Sequence, residues 1–210
     1  MLHPDTELRY IDSTIGYGVF ATRFIPKGTI TWVRDELDQT FSPERFARVS
    51  PHLHELLDRY SFVDKEGDHV LCWDLARYIN PACEAACLSP GYNFEVAVRD
   101  IAPGEELTDD YGTLNIDVAF TCHCGSPLCR GEIRPDDLLA HGDRWDALIA
   151  AAFAHLPAVR QPLWDLVREK DELARVTAHK APPASCRLNY LKRRHPHLGA
   201  SHAHAHPLAR

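Results

Sequence analysis

The alternation of apolar and polar residues changes character along this chain, from short strand-like runs in its first half to a helical period after Pro135. Residues 8 to 34 read as strands broken by turns. Gly16 and Gly18 interrupt one strand, and Pro26-Lys27-Gly28 is a turn signal. The run Thr29-Ile30-Thr31-Trp32-Val33 is β-branched and aromatic, as strands are. Ser42-Pro43-Glu44 suits a helix start, with Ser as cap and Pro at the first helical position, and predicts a short helical stretch through Leu57. Ser61 to Trp73 predicts a hairpin around Lys65-Glu66-Gly67-Asp68. Residues 92 to 100, YNFEVAVRD, alternate and read as a half-buried strand; Ala102-Pro103-Gly104-Glu105 then turns the chain into Leu107 to Tyr111. Trp145, Leu148, Ile149, Ala152, Phe153 and Leu156 fall at i, i+3, i+4, i+7, i+8 and i+11, one apolar helix face that Pro157 stops. A second helix is expected from Pro162 through Val176, so a helical hairpin packs on a β-rich body. From Pro182 onward Pro, His and basic residues predict a loosely held tail.

Charge changes this picture at one place. The net charge is −7, yet no Asp or Glu follows Glu172, and the stretch from Leu173 to Arg210 holds seven Lys or Arg. The body before it therefore stands near −14. An acidic body argues against nucleic acid as a direct ligand and suits a cationic peptide. No apolar run reaches bilayer-spanning length, and the first residues lack a basic segment followed by an apolar one, so no membrane span or secretory signal is expected and the cytoplasm is the expected compartment. The hydrophobic fraction of 45% is that of an ordinary globular protein. Nothing in the sequence fixes an oligomeric state.

Seven cysteines are an odd number, and three crowd into Cys122-His123-Cys124 and Cys129. Thiolates this close grip one ion from a tight turn, which Gly125 and Pro127 permit. A structural zinc needs four ligands, so a fourth must come from Cys83, Cys87, Cys72, Cys186 or His123. Four thiolates leave no open position for catalysis, and common iron–sulfur motifs have other spacings. His195, His197, His202, His204 and His206 form a second His-rich tract, read as a solvated end in preference to a metal site.

Four segments in order carry a resemblance: Gly16-Tyr17-Gly18-Val19; Arg77-Tyr78-Ile79-Asn80 with Cys83 close behind; Gly104-Glu105-Glu106-Leu107-Thr108-Asp109-Asp110-Tyr111-Gly112; and Cys122-His123-Cys124 through Cys129-Arg130-Gly131. Over roughly residues 8 to 131 the chain resembles SET-domain protein lysine methyltransferases with a zinc-binding post-SET segment. The resemblance implies a mostly β fold with added helices: small curved sheets with a knot-like crossing near the active site. It implies a SET domain over 1–117 and a zinc-binding segment over 118–134. The helical extension is then expected over 135–180 and the basic, His-rich tail over 181–210.

For function, the resemblance implies methyl transfer from S-adenosylmethionine to a lysine of a protein or peptide. Gly16, Tyr17 and Gly18 would hold the cofactor's methionine part through the backbone. Asn80 would hydrogen-bond the cofactor, Arg77 would brace that segment, Pro81 would meet the adenine, and Tyr111 would orient the sulfonium and the incoming amine. Cys83 would complete the zinc site with Cys122, Cys124 and Cys129. Two departures stand out. The family usually reads Asn-His-Ser-Cys-x-Pro-Asn where this chain has Asn80-Pro81-Ala82-Cys83-Glu84-Ala85-Ala86, and Pro81 has no N–H to give adenine. Asp109 stands where Phe or Tyr helps set the number of methyls; it either pairs with a lysine ammonium or points away. The alternative these departures imply is a SET module with weak or no catalysis that binds a peptide or partner.

Overall fold

The computed structural model describes residues 1–191; the five-histidine tract of the tail lies outside them. Twelve short strands, four α-helices and several 3-10 turns lie among the described residues. They run in the order β1 (Thr6–Asp12), β2 (Gly16–Ala21), β3 (Ile30–Val33), β4 (Gln39–Phe41), α1 (Pro43–Phe46), α2 (Pro51–Tyr60), β5 (Ser61–Val63), β6 (His69–Leu71), β7 (Asn80–Pro81), β8 (Cys87–Leu88), β9 (Phe94–Ala97), β10 (Glu106–Asp109), β11 (Phe120–Thr121), β12 (Glu132–Ile133), α3 (Asp137–Phe153) and α4 (Lys170–Thr177).

The fold is mostly β. The main sheet has the order β1-β2-β10-β8-β9-β3, with β7 also paired to β10. A strand late in sequence, β10, is thus inserted between β2 and the parallel partners β7 and β8. The segments 79–82 and 108–111 are tied together here. Thr108 and Asp109 pair with Asn80 and Pro81, and the Ala82 amide donates to the Asp109 carbonyl at 2.9 Å. Two smaller sheets flank this one: β4-β6-β5, whose β5–β6 hairpin is the one expected, and β11-β12.

The expected helix through Leu57 is two helices. Ser42 caps α1, its Oγ accepting from the Arg45 amide at 3.3 Å, but Pro51 forces a second start and becomes the first residue of α2. The strand expected over 92–100 is shorter and sits between β8 and β3, with Phe94, Val96 and Ala97 all buried, so both faces meet protein. Helix α3 begins eight residues before Trp145 and lays Trp145, Ile149, Ala152 and Phe153 against Phe94 and Tyr92. Each such fully buried large side chain stabilises by about 1.5–3 kcal/mol.

Two expectations about the C-terminal part are corrected. The second helix starts at Lys170 instead of Pro162, because residues 164–166 form only a 3-10 turn, so the hairpin has unequal arms. The chain from Pro182 is not loosely held within the described residues. Cys186 is fully buried, its amide and the Ser185 hydroxyl donate to Asp146 at 2.8 and 2.6 Å, and Asn189 and Leu191 bond with Asn115.

Candidate functional site

The site is built where β10 ends against the β7 segment. A glycine turn opens β2. Gly16 has φ +86°, a left-handed conformation that favours glycine. Gly18 has no room for a side chain, since a Cβ there would lie 2.4 Å from Glu106 Oε1 and 3.0 Å from Asn80 Nδ2. The Asn80 amide donates to the Tyr17 carbonyl at 3.0 Å and to Glu106 Oε1 at 2.7 Å. Both its donor hydrogens are therefore used, and its carbonyl oxygen is what it can offer a ligand. Arg77 folds back on its own turn, donating to the carbonyls of Asp74 and Trp73. Pro81 is half-buried beside Asp109.

Tyr111 begins a 3-10 turn capped by Asp110, which accepts from the Gly112 amide at 3.0 Å. Its hydroxyl donates to the Ile79 carbonyl at 2.7 Å, one residue before Asn80. Burial, then the charges of Asp109 and Glu95, push the phenol well above its ordinary range, so it stays protonated. Its ring meets Phe120 edge-on and packs beside Cys83 and Cys122.

The cysteines converge on that same ring. The Sγ atoms of Cys83, Cys122, Cys124 and Cys129 all lie within 4.8 Å of one another. Cys83 Sγ is 3.7 Å from Cys122 Sγ and 4.0 Å from Cys129 Sγ, and none is in a disulfide. Tetrahedral zinc with Zn–S bonds of about 2.3 Å sets its sulfurs about 3.8 Å apart. The donor set therefore fits zinc. Cys72, Cys87, Cys186 and His123, the other fourth ligands open on sequence grounds, are not in the cluster. Strands β11 and β12 close the loop, and the Arg130 and Gly131 amides point at Cys83 and Cys129 sulfurs at 3.4 and 3.3 Å.

Arg130 links the loop to the tyrosine turn, a role the sequence reading did not assign. Its guanidinium grips Asp110 with two contacts of 2.6 and 2.7 Å and reaches Asp137 at 3.3 Å, with Asp110 only 1% exposed.

Asp109 is 2% exposed and turned inward, its Oδ1 accepting from the Asp110 amide at 2.7 Å. Its carboxyl hydrogen-bonds that of Glu95 on β9. Glu95 was also missed. The signal was available: Phe94, Val96, Ala97 and Val98 are apolar on both sides of the strand, which marks a central strand and an unusual place for a carboxylate.

Comparison with known proteins matches residues 16–112 to the SET domain. The match runs from the glycine turn to the residue after Tyr111. That segment of the chain is a SET domain. The chain is 39% identical over 66 residues to the histone-lysine N-methyltransferase ATX2 of Arabidopsis thaliana, covering 28% of this chain and 6% of that protein. A longer match, 38% over 146 residues, joins 62% of this chain to 8% of the Arabidopsis thaliana histone-lysine N-methyltransferase ASHH2. The chain thus spans only a small part of these relatives. Among solved structures, the methyltransferase domain of human histone-lysine N-methyltransferase SETMAR is 18% identical with a TM-score of 0.43, over 64% of this chain and 58% of that one. No helix among the described residues is long and apolar enough to cross a membrane.

Proposed function

We propose that this protein methylates lysine side chains of a protein or peptide, taking the methyl group from S-adenosylmethionine. The observation that carries the reading is Tyr111: a half-buried side chain whose hydroxyl is bonded to the Ile79 carbonyl, inside the SET match and next to the Asn80 segment. Bound S-adenosylmethionine supplies an electrophilic methyl on sulfur. The Gly16–Gly18 turn would receive its methionine part, and Asn80 offers an acceptor to the amino group. Arg77 holds the 3-10 turn before Asn80. Pro81 keeps a carbonyl for the adenine but no N–H. Tyr111, held neutral, orients the amine as a dipole and does not act as the base. Cys83, Cys122, Cys124 and Cys129 would hold zinc, and that ion would clamp the 118–134 loop onto the Tyr111 turn.

The acidic body suits a basic substrate segment. A second reading, a SET module that binds peptide without efficient transfer, is favoured by the placement of Asp109 and Glu95, two carboxyls beside Tyr111. Calorimetry separates the two. The enzyme binds S-adenosylmethionine, and Asn80→Ala weakens that binding. A well-folded protein with no detectable affinity for the cofactor is the binding module instead.

A further inference from the structure

Asp109 pairs with Cys87, and Cys87 pairs with Ala97. Cross-strand partners share a face, and Glu95 lies two residues before Ala97 on the same face. The register thus aims the carboxyls of Asp109 and Glu95 into one space, from strands with only β8 between them. Trp32 on β3 pairs with Glu95 and completes that wall. Two polar atoms here are buried without a hydrogen-bond partner among the described residues, Glu95 Oε2 and Trp32 Nε1; Thr31 beside them meets the Cys87 thiol. Trp32 and Thr31 are 6% and 0% exposed, while Glu95 keeps partial contact with solvent. Two buried carboxyls are a costly way to fill a core, and orphaned polar atoms around them add to that cost. Tyr111 lies two residues from Asp109 and feels both charges.

We propose that Glu95 and Asp109 act together as the proton acceptor of this site, taking the proton that a substrate ammonium must lose before its nitrogen can be methylated. This rests on the lysine-methylation reading above. The pair, holding one proton between its two carboxyls, carries one negative charge. It takes one proton from the ammonium, leaving a neutral amine and a doubly protonated, neutral pair. The amine lone pair then bonds the methyl carbon, the carbon–sulfur bond breaks with its electrons staying on sulfur, and the product nitrogen is a methylammonium. Glu95, the partly exposed member, returns the extra proton to solvent.

The electrostatics agree. Burial pushes Glu95 up to about 7, and burial plus the neighbouring charges of Glu95 and Asp110 push Asp109 well above its usual range. The titratable groups facing the pair are Asp110 beyond the end of β10, Cys87 on β8, Cys72 after β6 and Tyr111 in its turn; the thiols and phenol are all pushed upward and stay neutral. Arg99 and the chain's amino group are the cations at longer range.

The test is the pH profile of kcat/KM on a lysine peptide for the full chain and for Glu95→Gln and Asp109→Asn. The wild-type value rises through about pH 7 and levels once the pair is singly ionised. Glu95→Gln loses about 100-fold at neutral pH. Its rate then climbs about tenfold per pH unit toward the ordinary lysine pKa of about 10.4, so the deficit shrinks. S-adenosylmethionine affinity by calorimetry stays unchanged in both variants. Should Asp109→Asn not fold, Glu95→Gln decides alone. A Glu95→Gln deficit that is the same at every pH, or no deficit, overturns the assignment while leaving lysine methylation standing. A wild-type protein without turnover at any pH overturns both.

Discussion

At the scale of single residues, labour is divided between groups that hold and groups that react. Tyr111→Phe keeps the ring against Phe120 and removes only the hydroxyl bonded to Ile79. Turnover falls by about ten- to a thousandfold, a barrier change of about 1.4–4 kcal/mol, with zinc content and melting temperature near native. Cys124→Ser lowers zinc content by elemental analysis and lowers the melting temperature, whereas Cys186→Ser, buried away from the cluster, leaves zinc content alone. Glu95 gives a pH signature independent of activity. Its folded pKa is raised, so its contribution to stability is present below the ordinary carboxylate pKa and is lost as pH climbs through about 7. The melting temperature of Glu95→Gln therefore gains on wild type between pH 5 and pH 8. A constant difference across that range would show that Glu95 is not held in a raised state.

At the scale of elements, coupling runs through Arg130. It comes from the cysteine loop and grips Asp110, whose own side chain caps the Tyr111 turn. Arg130→Met leaves Asp110 buried and unpaired, and should destabilise by about 3–5 kcal/mol in chemical denaturation. Loss of less than about 1 kcal/mol would mean the loop and the turn are independent. The same scale shows what the sequence conceals. Strand runs, the Ser42 cap and the cysteine trio were legible because each is local: a pattern of a few residues dictates the element. The break before Pro51 was legible in principle, since proline at a first helical position restarts a helix. Glu95 beside Asp109 was not, because it depends on β9 and β10 flanking β8, a register set by the whole sheet. The C-terminal segment misled for a similar reason. Its composition is that of a tail, yet Cys186, Ser185 and Asn189 find partners more than thirty residues away. Truncation after Pro182 accordingly removes the Cys186–Gly142 contact and leaves Asp146 without Ser185 and Cys186, and lowers the melting temperature; truncation after Leu191 does not. Equal melting temperatures for the two truncates would restore the loosely held tail.

At the scale of the whole molecule, a mostly β body carries both a four-cysteine cluster and the Tyr111 turn on one small core, with α3 packed behind. Residues 16–112 match the SET domain, and the cysteine loop that follows joins it through Cys83. The acidic charge before Leu173 gives this body a negative field that weakens with salt. The central claim is methyl transfer to lysine. The most direct measurement incubates the full chain with S-adenosylmethionine and a lysine-rich protein mixture, histones included, and locates added methyl groups by peptide mass spectrometry. Methylated lysines should appear with the wild-type chain and nearly vanish with Tyr111→Phe at equal zinc content. Methylation that persists undiminished with Tyr111→Phe, or a zinc-loaded wild-type chain that binds S-adenosylmethionine and methylates no lysine, would contradict it.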